Sequence, residues 1–216
     1  MFPQLIRFLA GLTVLLALDG SCADGHTPLK IVALGTSLTA RGGWQSALEV
    51  ELTTCLNRLV TVDNVAKSGE TTVWALTQID RVVAEQPDII LIELYANDAA
   101  LQRFVSLSQS RRNIGNILDQ LRQRLPEVRI AVMAMNPISG VRGLIRPFVD
   151  SYISAHQAEA QKRGLEFVDH RLNWQRLTPD DLAAAIPDGA HPLPDIASKI
   201  IVPELVKHIA GNNCAE

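Results

Sequence analysis

Ile89-Ile90-Leu91-Ile92-Glu93-Leu94, running into Tyr95-Ala96-Asn97-Asp98, is the stretch that decides the fold. A strand with one wet face alternates apolar and polar residues. This run is apolar at every position but one, as in a central parallel strand covered on both faces. Other segments carry the same signature more weakly. Leu29 to Leu34 is an apolar run bounded by Pro28 and Gly35, Leu59 to Val65 is rich in β-branched residues, and Val128 to Met133 and Leu165 to Val168 complete the set. Helical spacing fills the gaps between them: Trp44, Leu48, Leu52 and Leu56; then Thr72, Leu76, Ile79 and Val83; then Ile114, Leu118, Leu121 and Leu125, stopped by Pro126. Pro147 suits the first turn of a further helix and Gly164 the position just past its end. A short helix is expected after Thr178-Pro179, and a last one from Pro194 to Ile209, bent or interrupted at Pro203. Strand and helix alternate throughout. The expected class is therefore α/β, a three-layer α/β/α sandwich with a five-stranded parallel sheet and right-handed crossovers. Ligands in such sheets lie beyond the carboxyl ends of the strands.

The 216 residues, 47% hydrophobic and 20% charged, suit one globular domain with a sizeable core. A net charge of −3 offers no electrostatic footprint for nucleic acid. Residues 1–23 read as a leader outside the domain, which spans 24–216. Arg7 precedes an apolar run from Phe8 to Leu18, and Ser21-Cys22-Ala23 offers small residues for cleavage, the pattern of a secretory signal peptide. The run is short for a bilayer span, so a secreted or periplasmic protein with no stable span after processing is expected, and a monomer. A retained anchor is the alternative; lipidation at Cys22 is disfavoured by Asp19. Cys55 and Cys214 then remain. Cys55 shares a helical face with Trp44, Leu48 and Leu52, which suits a buried free thiol, whereas an oxidising compartment suits a disulfide between the two.

The segments that follow the strands carry unusual chemistry: Gly35-Thr36-Ser37-Leu38-Thr39, Ala66-Lys67-Ser68-Gly69-Glu70, Tyr95-Ala96-Asn97-Asp98 and, before the last helix, Pro187-Asp188-Gly189-Ala190-His191. A serine hydroxyl is a poor nucleophile without a base, and histidine titrates near neutrality. A carboxylate on the other ring nitrogen fixes the tautomer and stabilises the imidazolium. The spacing of Asp188 and His191 lets one turn present both to Ser37. A developing oxyanion needs donors, which Ser37 N–H, Gly69 N–H and the Asn97 amide can supply.

In order and spacing these segments resemble the blocks of the SGNH, or GDSL, hydrolase family, whose Ser, Gly, Asn and His fall on Ser37, Gly69, Asn97 and His191. The likeness runs from about Leu29 to the last helix. The stretch Leu91 to Asp98 is most similar to small secreted members of the bacterial thioesterase/lysophospholipase type. The resemblance implies a flavodoxin-like sheet and hydrolysis of carboxylic esters without metal or cofactor. It casts Ser37 as nucleophile, His191 as base, Asp188 as its partner, and Gly69 and Asn97 as oxyanion-hole residues. Two positions depart from the pattern. Thr36 replaces the usual Asp, and its hydroxyl is expected to preserve the local geometry. Tyr95 replaces the usual Gly, and is expected to touch substrate by narrowing the acyl site or to displace Asn97.

The remaining candidates carry less. His26, His156 and His208 are expected at the surface, while His170, beside Asp169 after the fifth strand, is a rival base. Asn173 and Trp174 either touch substrate or pack their loop. No His/Cys/Glu cluster has metal-ligand spacing, and neither a Gly-x-Ser-x-Gly elbow nor a phosphate loop is present. Residues 99–110 and 136–147 should shape the pocket. Arg103, Arg111, Arg112, Arg142 and Arg146 lie in or beside them, either facing an acidic sugar or phosphate head group or simply solvated. The leading expectation is an esterase for short acyl groups or O-acetyl esters of carbohydrates. Longer acyl esters or thioesters, or acyl transfer through the same residues, are the alternatives, and a small-molecule, lipid or glycan ester is the expected partner. A binding protein that has lost catalysis is the non-enzymatic reading; the intact Ser37, Asp188 and His191 argue against it.

Overall fold

The computed structural model describes residues 27–214. Five strands form one sheet: β1 Leu29–Gly35, β2 Val60–Ala66, β3 Ile89–Glu93, β4 Arg129–Ala134 and β5 Glu166–Asp169. Every pairing is parallel and the order is β2-β1-β3-β4-β5. The expected doubly wound sheet is therefore present, with β3 central and wholly buried. The helices are α1 Ser37–Ala40, α2 Trp44–Leu56, α3 Thr72–Leu76, α4 Ile79–Ala84, α5 Tyr95–Asp98, α6 Leu107–Arg124, α7 Gly140–Leu144, α8 Val149–Lys162, α9 Arg171–Trp174, α10 Pro179–Ala185 and α11 Pro194–Ala210.

Alternation along the strands divides the core. Ile31, Ala33, Ile89 and Leu91 face one side with Trp44, Leu48 and Leu52 of α2 and Ile201, Val202 and Leu205 of α11. Val32, Leu34, Ile90 and Ile92 face the other with Ala75, Ile79 and Val82 of α3 and α4 and Ile114, Leu118 and Leu121 of α6. The strand order reverses direction between β1 and β3. Their following loops diverge there and leave a crevice at the carboxyl edge. Ser37 and Asn97 flank it.

Several local expectations differ. The helix read through Thr72 and Val83 is two, α3 and α4, broken at Thr77 and Gln78. Pro147 lies ahead of α8 rather than in its first turn. Helix α11 is not interrupted at Pro203; the carbonyl that proline leaves without its helical donor belongs to Lys199, an exposed residue. Cys55 is no free thiol: it forms a disulfide with Cys214, joining the end of α2 to the turn after α11. The leader, Cys22 and His26 lie outside the described residues.

Candidate active site

Thr36 follows β1 with extended backbone and opens α1, its hydroxyl accepting from Leu38 N–H. This cap turns the chain sharply and sets Ser37 at the edge of the sheet. The hydrogen-bond partner of Ser37 arrives from the far end of the sequence. His191 Nε2 lies 2.8 Å from Ser37 Oγ, and His191 Nδ1 lies 2.7 Å from Asp188 Oδ2. Asp188 Oδ1 also accepts from the backbone N–H groups of Ala190 and His191, at 2.9 and 2.7 Å. Partial burial raises the Asp188 carboxyl, but these hydrogen bonds outweigh it and hold the group well below the usual carboxylate range. An ionised Asp188 favours the tautomer with a proton on Nδ1, leaving Nε2 to accept from Ser37.

The turn carrying these two residues is held from β4. Gly189 has φ +77°, and a Cβ there would lie 2.5 Å from Ser139 O. Its carbonyl accepts from Ser139 N–H at 2.7 Å. Asn136, buried at the end of β4, donates from Nδ2 to Ala190 O at 2.9 Å. Sequence reasoning named Asn136 only as the start of a loop; its position after a strand was the one available signal.

Gly69 reaches the site in a turn after β2 with φ +82°. Neither Ser37 N–H nor Gly69 N–H has a hydrogen-bond partner among the described residues. The Asn97 side chain is 5% exposed and fixed at both ends: Nδ2 donates to Glu70 O at 2.9 Å, and Oδ1 accepts from Arg146 Nη2 at 3.2 Å. Arg146 thus sets which end of the amide faces the crevice. It is itself buried, donates to Ala96 O at 2.7 Å and to Arg142 O at 3.0 Å, and meets no carboxylate among the described residues. Burial, with Arg142 and Arg103 nearby, lowers its pKa. Asp98 pins this segment to α3, accepting from Thr72 N–H at 2.9 Å and Thr72 Oγ1 at 2.6 Å, which aligns Asn97 with Gly69.

Ser37, Gly69, Asn97, Asp188 and His191 are therefore brought together. Tyr95 is not part of this group. Its side chain is 1% exposed and its hydroxyl accepts from Met135 N–H at 3.1 Å, so the helical turn of α5 directs the ring inward instead of over the acyl site. Thr36 preserves the geometry as expected, but through Glu93, whose carboxyl accepts from Thr36 Oγ1 at 2.9 Å, Thr36 N–H at 3.2 Å and Thr39 Oγ1 at 3.3 Å. Burial, only partly countered by these bonds, pushes the Glu93 pKa up to about 8.

The histidines are redistributed as well. His170 is fully buried, its pKa is pushed down to about 4 by burial, and it makes no hydrogen bond to Ser37. His156, expected at the surface, is 1% exposed and lies 2.9 Å from Ser110 Oγ, with burial taking its pKa to about 3. His208 pairs with Glu166 and is partly exposed. Trp174 packs in the core. Of the arginines, Arg111 and Arg163 bind Glu159, away from the crevice, whereas Arg103, Arg142 and Arg146 border it. Among the described residues no group of His, Cys, Asp and Glu is arranged to hold a metal ion.

A doubly wound parallel sheet thus carries a serine, a histidine and a carboxylate hydrogen-bonded in series at its carboxyl edge, beside two backbone N–H groups without partners among the described residues. Comparison with known proteins then places the chain. The GDSL-like Lipase/Acylhydrolase family matches residues 31–201, and the chain belongs to that family. It is similar to a GDSL esterase/lipase of Arabidopsis thaliana, 26% identical over 211 residues, covering 83% of this chain and 85% of that protein. Two solved structures share the fold. One is a lipase/acylhydrolase from Enterococcus faecalis (TM-score 0.70, 21% identity, 85% of this chain and 96% of that one). The other is an acetylxylan esterase from Geobacillus stearothermophilus (TM-score 0.71, 20% identity, 84% and 94%).

Proposed function

We propose that the chain is an exported serine esterase that cleaves carboxylic esters through an acyl-enzyme on Ser37. The carrying observation is the continuous hydrogen-bonded chain from Ser37 Oγ through both ring nitrogens of His191 to Asp188. Ser37 Oγ attacks the ester carbonyl carbon while its proton passes to His191 Nε2. The carbonyl oxygen gathers negative charge facing Ser37 N–H, Gly69 N–H and Asn97 Nδ2. As the tetrahedral species collapses, the C–O bond breaks and the alcohol leaves with the proton from His191. Water then gives a proton to His191 as its oxygen attacks the acyl carbon; on collapse the bond from that carbon to Ser37 Oγ breaks, Oγ takes the proton back from His191, and the carboxylic acid leaves. A disulfide between Cys55 and Cys214 suits an oxidising compartment, in keeping with a leader at residues 1–23.

Short acyl groups, including O-acetyl esters of carbohydrates, are the first substrate reading, because Gly69, Asn97, Arg103 and Arg142 make the surroundings of Ser37 polar. The exposed apolar residues of the flanking loops, Leu101, Phe104, Val141 and Leu144, favour a second, esters of amphiphiles. Rates over a series of acyl chain lengths separate the two. The chemistry is tested by Ser37→Ala with a short p-nitrophenyl ester. Turnover should fall by about four orders of magnitude or more, with loss of fluorophosphonate labelling; undiminished hydrolysis sinks the assignment.

A further inference from the structure

The two segments that border the crevice carry five of the large apolar side chains left in solvent among the described residues, including the three most exposed. Phe104 is 90% exposed, Leu144 77%, Val141 76%, Phe148 63% and Leu101 57%. They are neighbours in space. Leu101 N–H donates to Ile145 O at 3.0 Å, joining the turn after α5 to the end of α7. Leu101, Phe104 and Phe148 line one cleft of about 280 Å³. Val141 and Leu144, three residues apart, share a face of α7. Phe104 is held at φ +53°, a conformation that a bulky residue rarely adopts, so the backbone accepts strain to place an aromatic ring in water. Clustered exposed apolar side chains on a folded protein mark a contact surface.

Two guanidinium groups stand among them. Arg103 Nη2 lies 2.8 Å from where a Cβ on Gly69 would be, and has no carboxylate partner among the described residues. Arg142 Nη2 lies 3.5 Å from Asp188 Oδ2, an oxygen already engaged by His191. Buried Arg146 lies close to both. The nearby Lys67 and Glu70 neutralise each other at 2.7 Å. This rim is therefore positive on a chain whose net charge is −3, and basic and apolar groups alternate along it. Aromatic and aliphatic side chains that enter the acyl boundary, interleaved with arginines that meet phosphates, fit the interface of an anionic bilayer.

We propose that residues 101–104 and 141–148 dock this protein on an anionic lipid surface, presenting Ser37 to esters held there. The docking deepens the esterase reading by giving the site a lipid-borne substrate, but binding can be measured without catalysis.

The test is flotation of the Ser37→Ala protein with phosphatidylglycerol/phosphatidylcholine vesicles and with phosphatidylcholine vesicles, each at low and high salt. Binding should favour the anionic vesicles and weaken with salt. It should fall about fivefold for each of Arg103→Gln and Arg142→Gln. It should fall at least about tenfold in the Phe104→Ser/Leu144→Ser variant, whose substituted side chains are both exposed and lie outside the buried core. Three results overturn the proposal: no preference for anionic vesicles, equal binding by the Phe104/Leu144 variant, or a stable dimer in light scattering that this variant dissociates. The esterase reading stands or falls separately on p-nitrophenyl ester turnover by the wild-type protein.

Discussion

A single guanidinium decides how the Asn97 amide, proposed as an oxyanion donor, is oriented. Asn97 presents an amide, and an amide can be reversed with little change of shape; only its partners determine which end faces a developing charge. Arg146 Nη2 on Asn97 Oδ1 at 3.2 Å and Glu70 O on Nδ2 at 2.9 Å settle that choice. A cation on the carbonyl end also polarises the amide and strengthens its N–H donors. Arg146→Met removes the cation and leaves Ala96 O and Asn97 Oδ1 without their donor. The expected result is a fall in kcat for a neutral p-nitrophenyl ester of about tenfold to a hundredfold, with KM changed much less. Arg146→Lys keeps the charge but not the fork, so it should recover only part of the loss. A parallel rise in KM with kcat intact would show that Arg146 serves binding instead.

Between elements, the segment that carries Ser37 is anchored by a contact of the last residue of β3 with the start of α1. Glu93 holds both Thr36 and Thr39 and so anchors the turn on either side of Ser37. Because burial raises its pKa to about 8, from 4.5 in an open chain, the folded state holds a proton there that the unfolded state has lost. Stability from this group is complete below about pH 4.5 and declines as pH rises toward 8. Thermal unfolding of the wild type should therefore move to lower temperature between those limits, by about 3 °C per kcal/mol. Glu93→Gln, which cannot ionise, should flatten that slope; an unchanged slope would place the titration elsewhere.

Relations of this kind explain what was legible in the sequence. Ser37, Gly69, Asn97, Asp188 and His191 could be read because each is fixed by its own segment, a short block after a strand or before a helix. Glu93, Arg146 and Asn136 take their meaning from residues met across loops, which no periodicity records. His156 on α8 was misplaced for a related reason. The helix's buried stripe of Tyr152, Ile153, His156, Glu159 and Ala160 includes a neutral histidine and a carboxylate paired with arginines, so apolar spacing understates it. The inward direction of the Tyr95 ring was not legible either, because it depends on α5 turning the ring beneath the end of β4.

At the scale of the molecule, Ser37 and His191, the proposed nucleophile and base, are 154 residues apart, and packing of the first long helix on the last brings them together. His191 lies just ahead of α11, so the position of α11 on α2 sets the reach from Nε2 to Ser37 Oγ. At the start of the two helices Ser198 Oγ donates to Gly43 O at 3.3 Å. At the other end, Cys55–Cys214 closes the pair covalently across a separation of 159 residues. In the chain-entropy picture a loop of that size restricts the unfolded state by about 5 kcal/mol. The cystine lies at the amino ends of the strands, where Leu29, Leu56 and Ala210 line a cleft of about 590 Å³, opposite the crevice of Ser37. Stability and turnover should therefore separate. Reduction, or Cys55→Ser with Cys214→Ser, should lower the midpoint of thermal unfolding by about 10 °C or more. Ester turnover measured well below that midpoint should stay within about twofold of the oxidised protein, because the noncovalent core of α2 and α11 still positions His191. Loss of turnover in a protein that remains folded by circular dichroism would show instead that the cystine sets the alignment of α11, and through it the distance from His191 to Ser37.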